Sequence, residues 1–502
     1  MLSATPIRRL QAKDKRFIAP VMKRLLLVGL ALLSAAPSIA QRRAPPPPPA
    51  PLTALADAVS EQRLRADIEK LVSFGTRHTL SEQNHPTRGI GASLRWAADE
   101  FRRIGRGCGN CISIAEPSEV VTGRRIPQPT KVWNVLGIQR GTTEPNRVII
   151  ISGHIDSRVT DVMDASKPAP GANDDGSGTA AVIEAARVLS KHRFPATIVY
   201  AVLSGEEQGL YGGKILADYA KAQGWQVGAN LNNDIIGNSC GSDGVCDPNN
   251  VRVFSEGPRW QGREALAAQQ RSLGGENDSP SRNLSRYLAE LAPRVGLGLD
   301  VRQIWRNDRF GRGGDHTELL NAGYPATRFS VAVENYNHQH QDLRVENGVE
   351  YGDTIDKMDF PYLRRVTALN VAALAALARA PMPPEPTVEG AVSTDTTLKW
   401  WPVPGAAAYI VRWRPTDAAQ WQHSLRVPAK CREISVTNSP RVADADRARN
   451  FCLARLPNIR VDDWVFGVSS VGADGLESPV AAAVPGGAFR PYTPPPPPPA
   501  QQ

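Results

Sequence analysis

"ATIVYAVLSGEEQGLYGGKILADYAKAQ", residues Ala196–Gln223, joins an apolar run to a polar, glycine-rich stretch and then to apolar residues at helical spacing. A short run that is apolar almost throughout reads as a strand covered on both faces, and the segment after it as a helix packed back onto that strand. The same order recurs. "RVIIISGHID" (Arg147–Asp156) is a second such strand, and "SGTAAVIEAARVLSKH" (Ser177–His192) is its helix, with Ser177 a candidate N-cap. "ANLNNDIIG" (Ala229–Gly237), "VRVFSE" (Val251–Glu256) and "ATRFSVAV" (Ala326–Val333) read as further strands, and "PYLRRVTALNVAALAALARA" (Pro361–Ala380) as a long closing helix. This alternation predicts an α/β domain with a mainly parallel central sheet flanked by helices. In such sheets, sites collect at the carboxyl ends of the strands.

The polar clusters lie at those ends. "GHID" offers His154 and Asp156, "GANDDGSG" Asp174 and Asp175, "SGEEQG" Glu206 and Glu207, and "NNDIIG" Asp234. A later segment, "ENYNHQHQD", adds His338 and His340, and "GGDHTELL" adds His316. Imidazoles and carboxylates without a thiolate suit zinc, and can also take manganese or cobalt. Two dications side by side repel each other and need an anionic bridge. They polarise a carbonyl and lower the pKa of a bound water to about 7. Residues i and i+2 of a strand share a face, so Asp156 is placed to orient the His154 imidazole. Adjacent residues diverge, so Glu207 reaches a metal while Glu206 turns toward the water as general base. On spacing alone the last histidine ligand stays open among His316, His338 and His340.

"GHIDS", "APGANDDGSGTAAVIEAARVL", "LSGEEQGLYGG" and "NNDIIGN", in this order, resemble the di-zinc aminopeptidase family that includes bacterial secreted leucine-type aminopeptidases, glutamate carboxypeptidase II and the transferrin receptor. The resemblance covers most of residues 65–380. It implies two Zn²⁺ ions bridged by Asp174, with His154 and Asp234 completing one site and Glu207 with a late histidine the other. Glu206 is then the catalytic base and Asp156 the aspartate behind His154. The family's last ligand follows an Asn/Tyr-containing segment after the final strand, which selects His340. The family often has a cis peptide after the bridging aspartate, here Asp174–Asp175. Some relatives carry a tyrosine just before the late histidine to steady the oxyanion; this chain has Gln339 there. The function implied is a zinc exopeptidase removing N-terminal residues from peptides. A dipeptidase or carboxypeptidase of the same fold is the alternative. A one-zinc glutaminyl cyclase does not need the full five-ligand set, and a non-catalytic receptor would not need the base.

The remaining chain sets the context. Its 502 residues are 41% hydrophobic and 22% charged, enough for more than one domain. The formal charge of +9 is spread over scattered arginines without a dense basic run or interleaved aromatics, which argues against nucleic acid as a partner. "MKRLLLVGLALLSAAPSIAQ" from Met22 has the basic start, apolar centre and small-residue end of a secretory signal, too short for a comfortable membrane span. The expected location is secreted or periplasmic, with no stable membrane insertion after cleavage. In that setting six cysteines read as three local disulfides: Cys108–Cys111, Cys240–Cys246 and Cys431–Cys452. The boundaries read as an extension and signal over 1–40, a Pro-rich linker over 41–52, a peptidase domain over 53–380, a small β-sandwich over 385–487 and a Pro-rich tail over 488–502. The small domain, with Trp400 and Trp401 before "PVPGAAAYIVRW" and "FGVSSVGADGLESP" near its end, resembles a fibronectin type III module. That implies a spacer, or a binding module for a protein or polysaccharide.

Overall fold

A computed structural model describes residues 50–258, 272–429 and 451–483. The signal-like segment, most of the first Pro-rich stretch, the Pro-rich tail and Cys431 lie outside the described residues. An eight-stranded sheet runs in the order β1-β4-β6-β5-β7-β10-β8-β9. Its strands are β1 (Ile112–Ala115), β4 (Val135–Gln139), β5 (Glu144–His154), β6 (Ala196–Leu203), β7 (Gln226–Asn233), β8 (Asn250–Ser255), β9 (Asp300–Ile304) and β10 (Ala326–Val331). The central four, β6-β5-β7-β10, are parallel. β4 and β8 flank them antiparallel. The fold is therefore mixed α/β with a mainly parallel centre, as the alternation predicts.

The centre is covered on both faces, and the strand period shows how. Ile149, Ile151, Ile198, Tyr200 and Val202 enter one core with the helices Glu61–Val72, Gly89–Gly107, Gly176–Leu189 and Phe360–Arg379. Val148, Ile150, Val199, Ala201 and Leu203 enter the other with the helices Tyr211–Ala222 and His316–Asn321. Successive side chains point to opposite faces, so these strands must be apolar throughout. The alanines of Phe360–Arg379 are all buried, and their small size lets this helix lie close against its neighbours. Among the described residues no helix is long and apolar enough to cross a membrane.

One detail differs from the sequence reading. The helix Gly176–Leu189 is capped by Asp175, whose carboxylate accepts the Gly178 N–H at 2.8 Å, and not by Ser177. Ser177 already lies inside the first turn, where its hydroxyl bonds the Asn173 carbonyl and the Ile236 N–H instead. An N-cap must stand outside the helix to reach the amides two or three residues on. Gly178 follows because a Cβ there would fall 2.1 Å from the Asn233 carbonyl oxygen.

A hairpin of β2 (Ser118–Gly123) and β3 (Ile126–Trp133) leaves the sheet edge. It docks through Val121, Ile126 and Val132 onto Ile215 and Tyr211. A second, exposed hairpin, β11 (Arg344–Glu346) with β12 (Val349–Tyr351), precedes the closing helix. The disulfides Cys108–Cys111 and Cys240–Cys246 are formed. Cys452 is buried, and its expected partner Cys431 lies outside the described residues.

The C-terminal region forms two small antiparallel sheets. β13 (Thr387–Glu389), β14 (Thr396–Trp400) and β17 (Cys452–Leu456) make one, in the order β13-β14-β17. β15 (Ala408–Pro415), β16 (His423–Pro428), β18 (Trp464–Val471) and β19 (Ala481–Ala483) make the other, in the order β16-β15-β18-β19. They share a core of Leu398, Trp400, Tyr409, Val411, Phe466 and Val468. This region is tied to the large sheet's helices. Arg414 forms a two-pronged ion pair with Asp278, at 2.8 and 2.7 Å, and Arg286 donates to the Ala419 carbonyl. Arg286 also lies over Trp305 and Arg414 over Trp421. Asp278, Arg286 and Arg414 are all buried. Removing one partner of a buried pair strands the other charge. Asp278→Ala is therefore expected to destabilise the fold by about 3–5 kcal/mol, read as a lowered urea midpoint. A change below about 1 kcal/mol would mean that this pair is not desolvated in solution.

Candidate metal centre

Every residue expected at the site comes from a strand's carboxyl end or the loop after it. β5 ends at His154 and leads to Asp156; β6 leads to Glu206 and Glu207; β7 leads to Asp234. Asp174 lies on the loop before the helix Gly176–Leu189, and its peptide bond to Asp175 is cis. Gly205, at φ +80, makes the turn that carries Glu206 and Glu207 away from the strand.

Two groups of three ligand atoms result, each within 4.8 Å: His154, Glu206 and Asp234 in one, and Asp174, Glu207 and His340 in the other. Asp174 stands between the groups. Its Oδ1 is 3.3 Å from His154 Nε2, and its Oδ2 is 2.8 Å from His340 Nε2. His340 Nε2 is also 2.9 Å from Glu207 Oε1. Of the three histidines left open by spacing, only His340 is brought here. His316 Nε2 faces the Asn307 carbonyl, and His338 is half-buried away from both groups. His340 itself takes a left-handed backbone, φ +55.

The surroundings orient these atoms. His154 Nδ1 lies 3.1 Å from the Asp156 carbonyl oxygen and 3.5 Å from its carboxylate. Donating there leaves Nε2 with its lone pair toward Asp174 and Asp234. The Asp156 carboxylate also accepts the Glu206 N–H at 3.3 Å, the Glu207 N–H at 3.1 Å and the Thr79 hydroxyl. One residue thus fixes both the histidine and the paired glutamates. Asp175 accepts the N–H groups of His154 and Ile235 as well as its cap bond. The donor set of imidazole nitrogens and carboxylate oxygens, with no thiolate, fits zinc.

Charge behaves accordingly. Burial pushes the Glu206 carboxyl well above the usual range; Glu207 and Asp234 add to this, and His154 opposes it. Against the cost of burial, His340 and His154 hold Asp174 well below its usual value. His340 likewise holds Glu207 down at about 2 despite burial. Burial disfavours the His340 cation, yet Glu207 and Asp174 raise its pKa to about 9.

Several contributors carried no sequence signal. Arg158 donates to Glu207 Oε2 at 2.8 Å and approaches His340 Nδ1 at 2.6 Å. Arg328, buried, pairs with Asp234 at 2.8 Å and with Asp308. Buried Arg77 donates to the carbonyls of Ile155, Pro170 and Gly171, tying the His154 and Asp174 loops together. Asp353 accepts the Asn173 and Asp174 N–H groups. Gln339 lies between Glu334 on one side and Arg309 and Arg312 on the other, with the amide nitrogen toward Glu334 and the oxygen toward the guanidiniums. The site opens into a cavity of about 560 Å³.

The description of peptidase family M28 matches residues 134–352. A probable zinc metalloprotease of Leptosphaeria maculans is 44% identical over 87% of this chain and 97% of its own. That span exceeds residues 1–380, so the similarity continues into the C-terminal sheets. A probable zinc metalloprotease of Pyrenophora teres is 43% identical over 86% of this chain and 87% of its own. Among solved structures, the Legionella pneumophila LapA aminopeptidase is 20% identical with a TM-score of 0.48, over 65% of this chain and 72% of that one. A glutaminyl cyclase of Porphyromonas gingivalis is 15% identical with a TM-score of 0.43, over 63% and 98%.

A ligating imidazole must be neutral, whereas His340 holds a proton up to about pH 9 when no metal is present. Against the cost of burial, Asp156 and Asp174 likewise hold the His154 pKa well above its usual value. Zinc binding at pH 7 is therefore expected to release protons from both imidazoles, the His340 share fading as pH rises through about 9. Titration calorimetry in two buffers of different ionisation enthalpy reads it out. Equal apparent enthalpies in the two buffers at pH 7 would contradict it.

Proposed function

The chain belongs to peptidase family M28 and is a zinc metalloprotease by its relatives, and from that premise we propose that it is a two-zinc exopeptidase that removes N-terminal residues from peptides. The observation that supports this best is the position of Asp174, 3.3 Å from His154 and 2.8 Å from His340, between the two ligand groups at the mouth of a substrate-sized cavity. His154 and Asp234 would hold one zinc, Glu207 and His340 the other, and Asp174 both. Bound there, zinc would supply Lewis acidity and a water of lowered pKa.

The chain's own groups do the rest. Asp156 keeps His154 in the tautomer whose Nε2 can ligate, and its bonds to two backbone amides fix where Glu206 and Glu207 point. Arg158 holds the second oxygen of Glu207, leaving Oε1 to the site. Glu206 is not needed to complete either site. It would take a proton from the attacking water and return it to the leaving amine. The C-terminal sheets, three strands facing four, are read as a fibronectin type III-like sandwich that docks to the catalytic part and is available for a protein or polysaccharide. The signal-like segment and the local disulfides support a secreted or periplasmic location.

Glu206→Ala should lower kcat by about 10²–10⁴-fold on aminoacyl-nitroanilides while retaining its zinc. Metal analysis of the same preparation checks this; a variant that loses zinc would make Glu206 a ligand. His340→Ala should fall from about two zinc ions per chain toward one, with His316→Ala and His338→Ala keeping both. Two tightly bound ions in His340→Ala would exclude it as a ligand.

A further inference from the structure

The cavity beside the metal centre is lined by five arginines: Arg124, Arg125, Arg158, Arg309 and Arg312. Three are already matched by carboxylates. Arg158 pairs with Glu207, and Arg309 and Arg312 pair with Glu334. Arg124 and Arg125 are different. They form the turn between β2 and β3, and neither makes an ion pair among the described residues. Arg125 donates to the backbone carbonyl of Glu207 at 2.7 Å, which fixes its guanidinium at the cavity wall without neutralising it. Arg124 is exposed and also lines the cavity. The turn is held in place, since Val121, Ile126 and Val132 seat the hairpin on Ile215 and Tyr211.

The opposite charges in the cavity are accounted for. The lining carboxylates are Asp174, Glu206, Glu207 and Asp234, and all belong to the two ligand groups. Once cations sit among them, the part of the cavity wall that carries Arg124 and Arg125 keeps positive charge that no carboxylate among the described residues matches. Such a wall repels a basic side chain and attracts an anion. Guanidinium groups hold a carboxylate through paired, charge-assisted hydrogen bonds.

We propose that Arg124 and Arg125 bind a carboxylate of the substrate, so that the enzyme selects peptides with an acidic group next to the bond it cuts. This rests on the peptidase reading above. The carboxylate is either an acidic side chain or the α-carboxylate of a short peptide. Both present the same chemistry, and the two arms of one experiment separate them.

In the first arm, kcat/KM is measured for Glu-, Gln- and Lys-nitroanilides with the zinc-loaded enzyme. In the second, Leu-Leu is compared with Leu-Leu-amide. In at least one arm the acid should be preferred over its neutral isostere by roughly 10- to 100-fold, with the lysine substrate poorest. The preference should shrink at high salt. In Arg124→Gln/Arg125→Gln it should fall toward unity, while zinc content and melting temperature stay those of the parent. Calorimetric binding of Glu-Leu-amide against Gln-Leu-amide, and of Leu-Leu against Leu-Leu-amide, to the zinc-loaded Glu206→Ala variant gives both comparisons without turnover. An active enzyme that does not discriminate in either arm would overturn the proposal, as would one whose preference survives the double substitution. Absence of hydrolysis of every substrate by fully zinc-loaded protein would instead overturn the peptidase reading, and the calorimetric comparison would still judge the arginines.

Discussion

Like-charge repulsion is the constraint around which this fold is arranged. Asp156, Asp174, Asp175, Glu206, Glu207, Asp234 and Asp315 gather at one end of the sheet, nearly all of them buried. Carboxylates so close and so dry cannot all ionise without compensation. The fold compensates in two distinct ways, and the way chosen for each carboxylate defines its part in the site.

One group is tied to backbone amides. Asp175 takes the N–H groups of His154, Gly178 and Ile235; Asp156 those of Glu206 and Glu207; Asp353 those of Asn173 and Asp174; Asp315 that of Gly213. Each of these joins segments that meet at the carboxyl end of the sheet, so repulsive charges become links that hold those segments in place. Burial still raises Asp315 and Asp353 to about 7, so amide bonds only partly offset their desolvation. The other group, Asp174, Glu206, Glu207 and Asp234, turns away from the amides and toward a common space with two imidazoles. Only cations satisfy that group. Arg328 and Arg158 supply part of the charge from behind, each to one oxygen, which leaves the remaining oxygens facing inward.

This division explains what was legible in the sequence. The strand and helix order was readable because both-face burial forces continuous apolar runs such as Val148–Ile151 and Ile198–Leu203. The inward-facing residues were readable because they fall directly at strand ends, where chain order sets position. The amide-bound carboxylates were harder. Asp175 looks like a turn residue, and its three bonds come from three separate segments, so Ser177 was the more natural choice of cap. The buried arginines were least legible. Arg77, Arg328 and Arg414 lie in unremarkable runs, and the bonds that give them their part join distant segments: 78 residues from Arg77 to Ile155, 94 from Arg328 to the Asp234 carbonyl and 136 from Arg414 to Asp278.

The same long-range logic changes the reading of the C-terminal region. The Pro-rich break at Arg379–Gly390 suggests a separable module, but its surface is not that of a free domain. Leu476 enters the large domain's core, and Arg414 reaches a buried aspartate between helix and loop. Two guanidiniums stacked on Trp305 and Trp421 seal the contact from water, which strengthens the ion pair within it. Asp278 precedes the helix Pro280–Val295, which packs beside β8 and β9 and also against the closing helix Phe360–Arg379. A break at this contact would therefore leave a charge stranded under the edge of the sheet. The similarity to relatives continues past residue 380, over the same region that Leu476 and Arg414 join to the large sheet's helices.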